Sequence, residues 1–250
     1  MNLTTLRYGV QDGVATLTLD RPDSRNAVNR AMCDDIVAAA AAARADPEVR
    51  LVLVRASGPV FCAGADLKER KGMGPDAIRT RRLAAFAAYD AIESLPMPAI
   101  AVLHGAAVGS GCEIAACCDF VIATPQASFA TPEALWGTIG ATQRLPRILG
   151  KRLAKDMMFT GRKLSAEEAR AAGWVTRIAE PTELDGVIAA IAKTIVAAPP
   201  AAMRQAKSCI DQSVELDPGG ALALELRAME ENIASDTWRA GMESFGKTAP

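Results

Sequence analysis

A glycine-rich junction between a buried strand and a helix constrains this chain more than any other feature. Pro98-Ala-Ile-Ala-Val-Leu103 is a short continuous apolar run bounded by prolines and glycine, and it reads as a buried strand. Glu113-Ile-Ala-Ala-Cys-Cys118 reads as the helix that follows, and Gly105-Ala-Ala-Val-Gly109-Ser110-Gly111 lies between the two. Such a turn leaves backbone N–H groups unpaired at the positive end of the helix dipole, where negative charge is stabilised. Downstream, Thr131-Pro132-Glu133 reads as a helix start with Thr131 as cap and Pro132 in the first turn, so that Glu113 and Glu133 both fall near helix N-termini.

The remaining elements are read from periodicity and punctuation. Residues 3 to 20 form two strands joined at Gln11-Asp12-Gly13, because Asp-Gly supplies the backbone dihedrals of a tight hairpin. Ala27 to Arg44 is an alanine-rich helix stopped by Asp46-Pro47, and Arg50 to Arg55 is a strand. Phe61-Cys-Ala-Gly64-Ala65-Asp66 follows that strand, and its small residues admit close approach of a ligand to the backbone. A helix over Asp76 to Glu93 places Arg79, Arg81 and Arg82 on a solvated face, and His104 packs or hydrogen-bonds beside the end of the next strand. Short strands are expected at 119–123 and 127–130. Ser165-Ala-Glu-Glu168 is a capping box for a helix ended by Gly173, and Trp174 to Ile178 is extended. Amphipathic helices follow over 181–198, 200–213 and 218–245. The composition shifts near residue 195, which divides the chain into a core over 1–195 and a helical region over 196–250 whose apolar faces require a neighbouring subunit.

Composition narrows the function classes. At 250 residues, half of them hydrophobic and 23% charged, the chain has a substantial core. A formal net charge of -1 supplies no electrostatic footprint for nucleic acid. The apolar stretch around the glycine turn is interrupted by His104, glycines and Glu113, so no membrane span is expected. The six cysteines have no C-x-x-C spacing and there is one histidine, which points to reduced buried thiols rather than a disulfide scaffold, a zinc site or a serine–histidine triad. The first eight residues show neither a secretory nor a transit pattern, so the expected location is cytoplasmic.

The chemistry of the two small-residue segments has two readings. A glycine turn before an apolar helix serves packing, and a first-turn glutamate caps the helix or complements its dipole. Alternatively, N–H groups at Ala65 and Ser110 converge as an oxyanion hole, with the two carboxylates exchanging protons with a bound molecule. Neither a nucleophile nor a cofactor is required by the second reading.

Phe61 to Leu67, His104 to Asp119, Phe129-Ala-Thr-Pro-Glu133 and Thr142-Gln-Arg-Leu145, in this order and spacing, resemble the enoyl-CoA hydratase/isomerase (crotonase) superfamily. The resemblance extends from Arg21-Pro22 to Gly241-Met242. It implies an α/β fold in which strand-strand-helix turns form a spiral, with C-terminal helices that assemble trimers, often paired into hexamers. It also implies an acyl-CoA thioester substrate and no cofactor beyond the coenzyme A carried by that substrate. The N–H groups of Ala65 and Ser110 would polarise the thioester carbonyl. Cys62, Ala63, Asp66, Leu67 and Lys68 match positions along the coenzyme and acyl paths, and Arg25 matches a phosphate contact. Asp66 has a second reading as a helix cap, and Lys68 as one charge in a solvated run.

Glu113 and Glu133 match both glutamates of the hydratase branch, which implies reversible syn addition of water to a 2-enoyl-CoA, with Glu113 as base and Glu133 as acid. The rival is an enoyl-CoA isomerase, which needs a single carboxylate. A CoA- or RNA-binding scaffold without turnover is the rival outside enzymes. Paired carboxylates also serve glycosidases, but aromatic residues make up only 4% of this chain, with no sugar-stacking platform. Three departures from the family pattern stand out: Ser110 in place of the usual glycine, a short loop over Gly137 to Gln143, and a short tail over Phe245 to Pro250.

Overall fold

Asp12 and Gly13 both take positive φ, +50° and +77°, and close a two-residue turn that sets Gln11 opposite Val14. This hairpin, β1 (Leu6–Gln11) with β2 (Val14–Leu19), begins a computed structural model that describes residues 1–235 together with Trp238, Arg239 and Met242. The helix α1 (Arg30–Ala45) comes next, capped by the Asn29 side chain, which accepts the Met32 N–H at 2.9 Å. After it come β3 (Leu51–Ala56), the short α2 (Leu67–Arg70), α3 (Pro75–Glu93), β4 (Ala99–Leu103), β5 (Ala106–Val108) and α4 (Ser110–Ala116). The chain continues through β6 (Phe120–Ala123), β7 (Ser128–Ala130), a 3₁₀ turn at Glu133–Trp136, α5 (Arg144–Thr160), β8 (Leu164–Ser165), α6 (Ala166–Ala171) and β9 (Val175–Ile178). Three helices, α7 (Leu184–Ala197), α8 (Pro200–Ser213) and α9 (Pro218–Ala234), follow. The expected extension of the last helix to Phe245, the end of the resemblance at Gly241 and the tail lie outside the described residues.

Six strands form one sheet in the order β1-β2-β3-β4-β6-β9, parallel at every pair except β1–β2. A second sheet has the order β5-β7-β8. The chain passes from the large sheet to the small one at β4–β5 and again at β6–β7, and each passage precedes a helix. This is the repeating strand-strand-helix turn expected from the sequence.

The central strands are buried on both faces, as parallel strands between helical layers must be. Val52, Val54, Ala99, Ala101 and Leu103 join the main core with Met32, Ile36 and Ile92 from α1 and α3. Leu51, Leu53, Ile100 and Val102 face the other way, against Leu184 and Ile188 of α7. The capping box at Ser165 is present, with Ser165 Oγ accepting the Glu168 N–H at 3.2 Å and Glu168 accepting the Ser165 N–H at 2.8 Å.

Two local expectations are corrected. Arg81 is not on a solvated face: it is 3% exposed, pairs with Glu69 at 2.9 Å and donates to the Val28 carbonyl. Its guanidinium crosses from α3 to the segment before α1, a partner 53 residues away that helical periodicity does not encode. Thr131 does not cap a helix either. It is fully buried with its hydroxyl unpartnered, and Pro132 takes the cap position of the 3₁₀ turn instead.

Candidate active site

Two isolated parallel bridges assemble the backbone of the site. Cys62 pairs with Ala107 through Cys62 N–H to Ala106 O at 3.1 Å and Val108 N–H to Cys62 O at 2.9 Å. In parallel register this sets Ala65, three residues beyond Cys62, alongside Ser110, three beyond Ala107. The second bridge joins Val28 to Ala65. It uses the Gly64 carbonyl and the Asp66 N–H, so the Ala65 N–H points away from Val28. Ser110 opens α4, where its N–H has no intrahelical acceptor. Among the described residues neither N–H has a protein acceptor.

Glycine is required here by space as well as by conformation. A Cβ on Gly111 would sit 2.6 Å from the Cys62 carbonyl oxygen, and one on Gly109, whose φ is +51°, would sit 2.6 Å from Glu133 Oε1. The strand-to-helix turn thus lets two backbones and a carboxylate meet.

Glu113 is 5% exposed and fully engaged. Its Oε1 accepts the Ala141 N–H at 2.7 Å, and its Oε2 accepts Arg144 Nη1 at 3.2 Å. Ala141 holds φ at +54°, a conformation costing an L-residue roughly 1–2 kcal/mol, and so presents its N–H to Glu113. Arg144, at the start of α5, also pairs with Glu93 at the end of α3, and its guanidinium lies 5.8 Å from the Tyr89 ring centroid.

Glu133 differs. Its Oε2 is buried without a hydrogen-bond partner. Burial raises its pKa above the ordinary carboxylate value, as does the negative charge of Glu113; its own backbone hydrogen bond, Arg82 and Arg70 oppose the rise. The protonated form is therefore favoured further up the pH scale than in a free glutamate. Tyr89 lines the cleft beside Ser110, and burial raises the pKa of its hydroxyl.

These groups line a cleft with a cavity volume of about 350 Å³, walled by Ala63, Gly64, Ala65, Leu67, Tyr89, Ser110, Glu113, Glu133 and Trp136, among others. Of the residues expected from sequence, Ala63, Ala65, Leu67, Ser110, Glu113 and Glu133 meet there. Cys62 lies fully buried behind the wall, where burial pushes its thiol up to about 12, and its role is to pair backbone. Asp66 N-caps α2 and pairs with Arg21 at 3.0 Å, as its second reading held. Lys68 and Arg25 are exposed and outside the cleft wall, and the Arg25 carbonyl accepts the Ala63 N–H. Sequence reasoning missed Tyr89, Ala141 and Arg144 as site residues. Arg144 stood within a motif that carried the resemblance, but its two carboxylate partners are 31 and 51 residues away. A larger groove of about 860 Å³ lies beside α7, yet it gathers no comparable pair of carboxylates at free N–H groups. Among the described residues no group of three or more His, Cys, Asp or Glu side chains converges as metal ligands.

The profile of the enoyl-CoA hydratase/isomerase family matches residues 9–250. The chain belongs to this family. An enoyl-CoA isomerase/hydratase of Mycosarcoma maydis is 33% identical over 245 residues, spanning 93% of this chain and 89% of the relative. The human enoyl-CoA hydratase domain-containing protein 2, named as mitochondrial, is 35% identical over 245 residues, spanning 95% and 84%. The crystal structure of an enoyl-CoA hydratase from Mycobacterium smegmatis aligns with a TM-score of 0.92 at 34% identity, covering 97% of this chain and 96% of that one. Fold and family thus agree with the α/β crotonase-like architecture, and the family's names carry both hydratase and isomerase activities.

Proposed function

We propose that this protein is an enoyl-CoA hydratase. The observation that carries the reading is a pair of glutamates in one cleft with opposite surroundings, beside two backbone N–H groups with no protein acceptor. The thioester oxygen sits between the N–H groups of Ala65 and Ser110, which stabilise the charge that develops there; losing one such donor costs about 3–4 kcal/mol of barrier. Glu113, oriented by Arg144 and Ala141, removes a proton from water as the oxygen bonds to the β-carbon. The electron pair of the double bond moves toward the thioester, and Glu133 delivers its proton to the α-carbon. The proton taken by Glu113 then returns to Glu133, which restores both carboxyl groups for the next turnover.

Loss of conjugated-thioester absorbance across a series of 2-enoyl-CoA chain lengths tests this. Glu113→Gln and Glu133→Gln are each expected to lower kcat by about 10²–10⁴-fold while acyl-CoA binding persists. Unchanged turnover in either variant removes that residue from the mechanism, and binding without turnover by the wild type favours a scaffold.

One observation favours isomerisation as a second reading. Only Glu133 has an unengaged carboxylate oxygen, and a single carboxylate suffices to carry a proton between two carbons. Product analysis from a 3-enoyl-CoA separates the two, because an isomerase yields the 2-enoyl ester in the absence of hydration.

The proposal extends to assembly and location. Ile210 on α8, Val214 just beyond it, and Leu222, Leu226, Met229 and Ile233 on α9 are exposed, which supports a core over 1–195 and association of residues 196–250 with further copies, as a trimer or hexamer. Light scattering reads the copy number. Among the described residues no single helix is long and apolar enough to cross a membrane. A cytoplasmic location is tested by cell fractionation.

A further inference from the structure

A hydrocarbon acyl chain needs no cation, yet three arginines line the cleft. Arg81 is accounted for by Glu69 and the Val28 carbonyl. The other two are not. Arg70 makes no ion pair among the described residues, and its Nε is buried without a hydrogen-bond partner. Glu69 does not serve it, because one Glu69 oxygen accepts the Arg30 N–H at 2.8 Å and the other is bound by Arg81. Arg82 donates to the Thr138 hydroxyl at 3.2 Å and to the Ile139 carbonyl, both neutral, and lies 5.9 Å from the Phe86 ring centroid. Burial lowers the pKa of Arg70, and the charges of Arg81 and Arg82 lower it further, against smaller opposing effects of Tyr89 and Glu69. Arg70 is half-buried with a buried donor left unpartnered, an arrangement that an anion in the cleft would satisfy.

We propose that Arg70 and Arg82 form an anion subsite for the far end of the acyl chain, and that the preferred substrate is an enoyl-CoA whose acyl group ends in a carboxylate. This rests on the hydratase reading. The position of the pair selects the acyl tail over the coenzyme phosphates. Arg70, Arg82 and Glu133 line the same cleft, and in the hydratase reading Glu133 borders the reacting carbons. The phosphates are separated from the thioester by the whole pantetheine arm. A planar guanidinium also matches a carboxylate through paired hydrogen bonds. Arg82 adds a mechanical link, because the loop it holds through Thr138 and Ile139 continues to Ala141, whose N–H binds Glu113. A carboxylate seated on Arg82 would therefore steady the segment that orients the base.

The test compares kcat/KM for two 2-enoyl-CoA esters of equal chain length, one ending in a methyl group and one in a carboxylate. The wild type is expected to favour the carboxylate by about 10–100-fold, the range of a charge-assisted hydrogen bond worth ~1.5–3 kcal/mol. Arg70→Met should collapse that ratio toward one and Arg70→Lys should restore part of it. A wild type that does not discriminate, or that favours the methyl ester, overturns the proposal. Equal weakening of both esters and of free coenzyme A in Arg70→Met also overturns it and assigns the pair to the coenzyme phosphates. Calorimetric binding of the two saturated analogues to the wild type provides a readout independent of turnover and of variant folding. If no enoyl-CoA is hydrated the hydratase reading fails, while a tenfold or greater binding preference for the carboxylate analogue still supports the subsite and its absence sinks it.

Discussion

Glu113 and Glu133 are the same side chain in the same cleft, and their surroundings are opposites. Glu113 sits in the first turn of α4, is almost wholly buried, and has both oxygens occupied by Arg144 and the Ala141 N–H. Glu133 sits in a short 3₁₀ turn, keeps one buried oxygen without a partner, and has its pKa raised first by burial and then by the charge of Glu113. Chemically identical groups are thereby differentiated into an acceptor held by donors and a carboxyl whose protonated form is favoured further up the pH scale. Environment, not residue type, separates the two carboxylates.

The contrast breaks most severely at Arg144. Arg144→Met would leave Glu113 and Glu93 without their guanidinium, and a buried pair stripped of one partner costs roughly 3–5 kcal/mol. Denaturant titration should show a loss of that order, and the double variant with Glu113→Gln should recover part of it; additive losses would mean the two residues are not coupled. Next comes Gly109→Ala, which forces a Cβ into Glu133 Oε1 at a positive-φ position. A displaced Glu133 is expected to lower kcat by about 100-fold. Normal turnover with Glu133 unmoved in the variant's crystal structure would contradict the close approach.

Proton affinity offers a finer probe. Because the folded state holds the Glu133 proton above the ordinary carboxylate value, stability should decline as pH rises from that value through the folded pKa, and Glu133→Gln should abolish the decline. Carbon-13 NMR of labelled glutamate should show the Glu133 titration moving to lower pH in Glu113→Gln; a titration that stays put would remove the Glu113 charge as a cause. The smallest effect is expected at Ser110. Ser110→Gly retains the backbone N–H and loses only the hydroxyl beside Tyr89, so kcat/KM should change by no more than about tenfold, the worth of one neutral hydrogen bond.

Much of this molecule was legible before any coordinates. The Asp12-Gly13 turn, the alanine-rich α1, the capping box at Ser165 and the strand-glycine-helix junction all obey rules that act over a few residues. Ala65 and Ser110, singled out from their small-residue segments, line one cleft. Less visible were residues whose partners lie far along the chain. Arg81 looked solvated because its helical neighbours are polar, yet it reaches Val28; Thr131 looked like a cap, yet it is packed without one. Cys62 was expected along the ligand path and instead holds β5 from behind the wall.

Sequence by itself therefore determined most of the elements and the family resemblance, and it singled out both glutamates, because local backbone preference and hydrophobic period are written in neighbouring residues. Tertiary structure decided what each glutamate is. The Ala141 N–H, the Arg144 guanidinium and the cations of Arg70 and Arg82 converge from segments distant in sequence. Charge, burial and hydrogen bonding act through space, so a carboxylate's proton affinity is set by what surrounds it after the chain has folded.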